Sequence, residues 1–197
     1  MFTLTEPSAE TIRNFISSQT NAPFSYAEVG ATQSELPSGY TVDHNRIQLG
    51  HGAEVFQCGV EALQQWRQFD LGWVTVVPRG VKLEQNAVVA VKARSGVLWS
   101  LSAARVIYLI DEEEPIRRFG FAYGTLLDHV ERGEERFLIE WNKKDDTVWY
   151  DILAFSQPRH PMVRAGFFYA RMLQKRFARE SLAVMRSIAD EIRNQPV

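Results

Sequence analysis

The chain has 197 residues, a net charge of −2, and 45% hydrophobic residues. That is enough for one domain (residues 1–197) with a sizeable core; it argues against a disordered chain and against a globally basic nucleic-acid binder. A single cysteine, Cys58, excludes an intrachain disulfide and points to a reducing, cytoplasmic setting.

In chain order, the first element is a short helix. Thr5 is placed to cap it, Pro7 suits its first turn, and Ile12, Phe15 and Ile16 share a face. Its charges, Glu6 and Glu10 before Arg13, are not in the order of a signal peptide. No uncharged apolar run approaches a membrane span; Gly96 to Ala104, ended by Arg105, comes nearest. Asn21-Ala-Pro23 breaks the helix. Phe24 to Val29 alternates weakly as a strand, and Gly30 to Gly39 reads as a polar loop.

Tyr40 to Leu49 alternates as a strand with polar groups on both faces: His44 and Arg46 on one, Asp43, Asn45, Ile47 and Leu49 on the other. After Gly50-His51-Gly52, a helix over about Ala53 to Phe69 carries Phe56, Val60, Leu63 and Trp66 on one face. Cys58 falls inside it and reads as a small packed hydrophobe rather than a nucleophile. Six strand-like runs follow: Trp73–Val77, Ala87–Ala93, Val97–Ile110, Arg117–Leu127, Arg136–Trp141 and Val148–Ser156. Their short breaks, Glu131–Glu135 among them, favour antiparallel pairing. The longest run is expected to bend near Ser102. After Pro161 the pattern is helical, with Val163, Phe167, Ala170, Phe177, Val184, Met185, Ile188 and Ile192 on one face, over roughly 45–50 Å.

A curved antiparallel sheet of about six to seven strands wrapped around a long C-terminal helix buries both apolar surfaces. This α+β order is similar to the helix-grip layout of the Bet v 1 and START-like superfamily. That layout implies a cavity between sheet and helix. Trp73, Trp99, Tyr108, Phe119, Phe121, Tyr123, Trp149, Tyr150, Phe155 and Phe167 suit either a cavity lining or a solid core.

The segments Phe24-Ser-Tyr-Ala-Glu-Val-Gly-Ala-Thr32, Gly39-Tyr-Thr-Val-Asp-His-Asn-Arg46 and Leu49-Gly-His-Gly52 carry a family resemblance. So do Leu63-Gln-Gln-Trp66 to Phe69, Leu71-Gly-Trp-Val74 and Arg176-Phe-Ala-Arg-Glu-Ser-Leu-Ala-Val-Met-Arg186. Together, over nearly the whole chain, they resemble the domain-of-unknown-function family catalogued as nineteen-ninety. That resemblance implies no activity.

Asp43-His44-Asn45-Arg46 is the densest polar cluster. With its His44 side toward a cavity, His44 and Arg46 would orient a carboxylate, phosphate or enolate; as a solvated edge, Arg46 would pair with Glu28. Glu28 is the candidate general base, with an ion pair as its bland role. The glycine-flanked His51 reads first as a strand-to-helix turn, with an anion site at the helix start as the alternative. The candidate ligand-binding residues are therefore Glu28, His44, Arg46, Trp73, Trp99, Tyr108, Phe121, Tyr123 and Phe167. His44, His51, His129 and His160 form no metal spacing, and no nucleotide, dinucleotide or nucleophile-elbow motif occurs, so neither metal nor cofactor is expected.

Arg164, Arg171, Lys175, Arg179, Arg186 and Arg193 fall in a sector of roughly 80° on the last helix. From Arg159 onward the chain is net +5, and the rest is net −7. The stripe reads either as a solvated face or as a contact for an anionic partner, with Arg164, Arg171, Lys175 and Arg179 its centre. Nucleic acid is disfavoured, since no exposed aromatic platform accompanies the charge. The leading expectation is a protein that binds an apolar or amphipathic small molecule in a sheet–helix cavity. The alternatives are a cyclase- or hydrolase-like enzyme using that cavity, and an interaction module using the basic face.

Overall fold

The alternating runs after Gly72 all form strands, and consecutive ones pair through short connections in a single antiparallel sheet. The computed structural model describes residues 1–159 and 166–193. Its strands are β1 (Phe2–Thr3), β2 (Thr41–His51), β3 (Val74–Val77), β4 (Val88–Ser95), β5 (Leu98–Glu112), β6 (Arg117–Thr125), β7 (Glu131–Asn142) and β8 (Thr147–Pro158). Its helices are α1 (Ala9–Gln19), α2 (Gly52–Gln64) and α3 (Phe167–Arg193). The sheet runs β2-β8-β7-β6-β5-β4-β3, with β1 pairing β5 where β6 leaves that strand free.

The inner face of the sheet carries Val89, Val106, Phe121, Phe137, Ile139, Tyr150 and Ile152, packed against Phe56, Val60 and Leu63 of α2 and Met185 of α3. Several of these are wholly buried, and each contributes about 1.5–3 kcal/mol by leaving water. Gly59 lets α2 rest directly on β7, because a Cβ there would stand 3.1 Å from Ile139. The outer face is covered in part by α1, whose Phe15 joins Leu101, Ala103 and Leu126.

Helix α3 spans 27 residues, about 40 Å at 1.5 Å per residue, and lies across the inner face. Its buried stripe is Ala178, Ser181, Met185 and Ala189. Three of the four are small, so the C-terminal half of α3 comes close to β2 and α2. There the Tyr150 and Ser181 hydroxyls meet at 3.0 Å, and the Cys58 thiol approaches the Ile188 carbonyl at 3.7 Å. Burial pushes the Cys58 thiol pKa up, which keeps it a protonated packing group.

Local departures from the sequence expectations have identifiable causes. Ser8, not Thr5, caps α1, accepting from the Thr11 amide at 3.1 Å. Phe24 to Val29 is a loop joined to the sheet by one bridge, Phe24 to Leu126. The loop is held by Glu134, whose carboxylate accepts from the Tyr26 hydroxyl at 2.8 Å, the Gly30 amide at 2.7 Å and the Thr32 amide at 3.0 Å. Helix α2 stops at Gln64 because Trp66 adopts a left-handed φ of 59°; a 3-10 turn, Arg67–Phe69, follows. The irregularity in β5 falls between Val106 and Tyr108 rather than near Ser102. Strand β7 begins at Glu131, so residues 131–135 are strand and not connection.

Gly133 has φ +146°, and a Cβ there would stand 1.9 Å from the Phe155 carbonyl oxygen of β8. Gly133→Ala is therefore expected to destabilise the fold by about 2–4 kcal/mol, read as a lower urea midpoint; an unchanged midpoint would contradict the close β7–β8 approach.

Candidate functional site

The register of β2 decides which of its polar groups face inward. Val42, His44 and Arg46 are exposed, while Asp43, Asn45 and Ile47 are partly covered and Leu49 is buried. The Asp43 face therefore looks toward α3, and it borders a cavity of about 740 Å³ between the sheet and the N-terminal half of that helix. Trp73, Tyr123, Phe69 and Phe177 supply its rings, and Val74, Val91, Ile152 and Leu173 its aliphatic wall. The size falls within the range of small-molecule sites, about 300–1,000 Å³.

A chain of polar contacts crosses one side of this space. Arg171 of α3 donates to both carboxylate oxygens of Asp43, at 2.5 and 2.7 Å. It also donates to the Gln174 side-chain oxygen. Gln174 in turn donates through Nε2 to Glu131 at 2.7 Å and to the Ser156 hydroxyl at 3.1 Å. Each donor orients the next acceptor, so the chain pins α3 to β2, β7 and β8 at one level.

Glu131 and Glu135 share a face of β7, and both line the cavity. The Tyr123 hydroxyl, from neighbouring β6, donates to Glu135 at 2.7 Å. Burial pushes the Glu135 carboxyl up to about 7, and the charges of Glu131 and Asp43 act in the same direction against the Tyr123 hydrogen bond. Burial likewise raises Glu131, opposed by the Gln174 hydrogen bond and the Arg171 charge. Among the described residues, no cation stands within ion-pair distance of either carboxylate. Nearby His129 is lowered to about 4 by burial and stays neutral. Glu135 and Tyr123 thus set a proton donor–acceptor pair, poised near neutrality, against an apolar wall. No cluster of three or more candidate metal ligands occurs among the described residues.

Of the residues singled out from sequence, Trp73 and Tyr123 line the cavity, whereas the Trp99 ring stands on the outer face of the sheet under Lys92 and Arg94. Phe121 lies beneath it, wholly buried between Trp66 and Phe137. Four others sit away from it. Glu28 accepts from Tyr40 at 2.9 Å, a contact that lowers its pKa. His44 meets the buried Asp151 at 2.5 Å, and Asp151 is also held by Arg136 at 3.0 Å. Arg46 pairs with Glu140 at 2.8 Å rather than with Glu28, and stacks on Trp149. Tyr108 meets Thr32 at 2.5 Å, and burial raises its hydroxyl to about 12. Arg164 and the Phe167 side chain lie outside the described residues, as do His160 and the Arg193 side chain. On the basic stripe, Arg171 is engaged inward by Asp43 and Arg186 bonds the Gln48 carbonyl, while Lys175 and Arg179 are exposed at the cavity rim.

The functional groups that sequence reasoning missed are Asp43, Glu131, Glu135 and Gln174. A signal existed for three of them. Phe137, Ile139 and Trp141 alternate on one face of β7, and stepping back by two reaches Glu135 and Glu131 on that same face. Ile47 and Leu49 mark the inward face of β2, and stepping back by two reaches Asp43.

A family model described as Domain of unknown function (DUF1990) matches residues 25–184. A Dictyostelium discoideum protein described as a UPF0548 protein is 36% identical over 199 residues, covering 92% of this chain and 92% of the other. Among solved structures, the hypothetical protein jhp0584 of Helicobacter pylori superposes with a TM-score of 0.53 at 9% identity, covering 85% of this chain and 96% of its own. A norcoclaurine synthase point mutant of Thalictrum flavum, in complex with a transition state analogue, gives a TM-score of 0.50 at 10% identity over 81% of this chain and all of its own. At such identities these two likenesses concern the fold alone.

The raised Glu135 pKa has a stability consequence with a definite sign. The folded carboxyl holds its proton up to about pH 7, whereas in the unfolded chain it titrates near 4.5. Its favourable contribution is complete below pH 4.5 and is lost as pH rises through 7. Glu135→Gln, neutral at every pH, is expected to raise Tm at pH 8 by roughly 3–10 °C and to leave it nearly unchanged at pH 5. Equal effects at both pH values in thermal unfolding would contradict the burial of this carboxyl.

Proposed function

The chain belongs to the DUF1990 family, and from its inner cavity we propose that it binds an apolar or amphipathic small molecule between the sheet and α3. The observation that carries this reading is the cavity of about 740 Å³, walled by Trp73, Phe69 and Phe177 and bearing a small set of polar groups. A solid core would leave no such space, because protein interiors pack to near-crystalline density. A neighbour in fold, norcoclaurine synthase, is described in complex with a transition state analogue, which supports the idea that such a scaffold accommodates a ligand.

A second reading, catalysis in the same cavity, is favoured by one observation: the Tyr123–Glu135 pair, whose carboxyl titrates near neutrality. Such a pair has the protonation behaviour general acid–base chemistry needs. In this version the acid–base residues are Glu135 and Tyr123, in place of Glu28, His44 and Arg46.

The binding reading is tested with N-phenyl-1-naphthylamine, a neutral apolar dye that fluoresces when it leaves water. Saturable one-to-one binding is expected for the wild type. Ala154→Phe on β8 and Ala93→Phe on β4 each place a ring in the cavity and should reduce that affinity at least about tenfold. Absence of saturable binding to the wild type, or full retention in both folded variants, would contradict the proposal.

A further inference from the structure

We infer that the ligand of this cavity is an amphipathic amine, a protonated nitrogen on an aromatic or aliphatic body, with Glu135 and Glu131 as the counter-charge for the nitrogen. The inference rests on the cavity-binding reading and specifies its ligand class. Three features of the cavity lead to it.

First, the charges inside do not balance. Asp43 is matched by Arg171 through two hydrogen bonds, at 2.5 and 2.7 Å, and that pair is complete. Glu131 receives one amide N–H from Gln174 at 2.7 Å, and Glu135 one hydroxyl from Tyr123 at 2.7 Å. Neither neighbour carries a positive charge. Each carboxylate keeps acceptor capacity, since an ionised carboxylate offers about four lone-pair sites. A ligand ammonium, with up to three N–H donors, supplies both the missing charge and the missing donors.

Second, the carboxylates project from one face of β7 on the side of the cavity that carries its polar groups, opposite an apolar side. Trp73, Phe69 and Phe177 form a hydrophobic wall there. A ligand that satisfies both parts has a compact cationic end and a larger apolar body. A fatty acid or phosphorylated metabolite would bring a second negative charge against Glu131 and Glu135.

Third, apart from Arg171, which Asp43 engages, the positive charges of the site are at its rim. Lys175 is exposed, and the Arg179 side chain is 76% exposed and stands near Glu180. Water and salt screen charges in that position, whereas an ion pair formed inside the cavity is screened far less. The rim therefore weighs less in ligand choice than the interior.

The test uses three probes of one shape: 2-(1-naphthyl)ethylamine, 2-(1-naphthyl)ethanol and 1-naphthylacetate, titrated calorimetrically into the full chain at pH 8. The amine is expected to bind at least about tenfold more tightly than the alcohol, and the carboxylate most weakly. In the Glu131→Gln, Glu135→Gln double variant the preference for the amine should fall to about twofold or less, while alcohol affinity is retained. Retained alcohol binding also reports that the double variant is folded with its cavity intact; a double variant that does not bind the alcohol is replaced by the Glu135→Gln single variant, in which the preference should fall at least about threefold. Equal binding of amine and alcohol to the wild type would overturn the amine assignment and leave the cavity reading standing. A preference that survives loss of the carboxylates would do the same. If none of the three probes binds the wild type, the cavity reading and the amine assignment fall together.

Discussion

The bidentate pair between Arg171 and Asp43 governs how far the first half of α3 stands from the sheet. A helix lying across a curved sheet has two ways of meeting it. Where its facing residues are small and lie beyond the cavity, as at Ser181 and Ala189, the helix settles close. Where long polar side chains reach from helix to strand, as Arg171 and Gln174 do, the backbones are held apart. The change from one mode to the other along a single helix opens the cavity at its N-terminal half. The pair is only partly exposed, with 18% of the Arg171 side chain and 29% of Asp43 accessible, so it is stronger than an ordinary surface ion pair.

The outer face of the sheet works differently. There, charged groups are matched locally: Arg46 and Arg118 with Glu140, Arg136 and His44 with Asp151, and Glu134 with a hydroxyl and backbone amides. Glu134 and Asp151 are almost wholly buried and yet are surrounded by donors, as buried carboxylates need to be. Their role is to tie loop 24–33 and the edge strand to β7 and β8. The inner face leaves Glu131 and Glu135 without a cation. Adjacent positions of β7 thus carry opposite situations: Glu134 is satisfied on one side, and Glu135 looks into open space on the other.

Much of this fold was legible in the chain. Period-2 runs separated by short turn signals specified the antiparallel sheet, and the 3.6-residue stripe from Phe177 to Ile188 specified the long helix. The assignment of faces was less legible. In β2 both faces carry polar residues, so the pair Ile47 and Leu49 is what distinguishes the Asp43 face from the His44 face. In the folded chain that pair turns inward and carries Asp43 with it. Glu131 to Glu135 read as a turn because four of its five residues are charged. A strand that borders a cavity is released from the usual demand for apolar inward residues, and simple alternation rules do not anticipate that. Aromatic supply could not separate cavity from core either: Trp73 and Tyr123 border the space, Phe121 fills the layer beneath, and Trp99 stands on the other face of the sheet.

Ligand binding as proposed requires open, accessible volume between the sheet and the first half of α3. Diffraction from a crystal of the full chain pressurised with xenon tests it most directly, because xenon enters apolar cavities and scatters strongly. Xenon density is expected among Trp73, Val91 and Phe177. Side chains packed through that volume, with no xenon between sheet and helix, would contradict it.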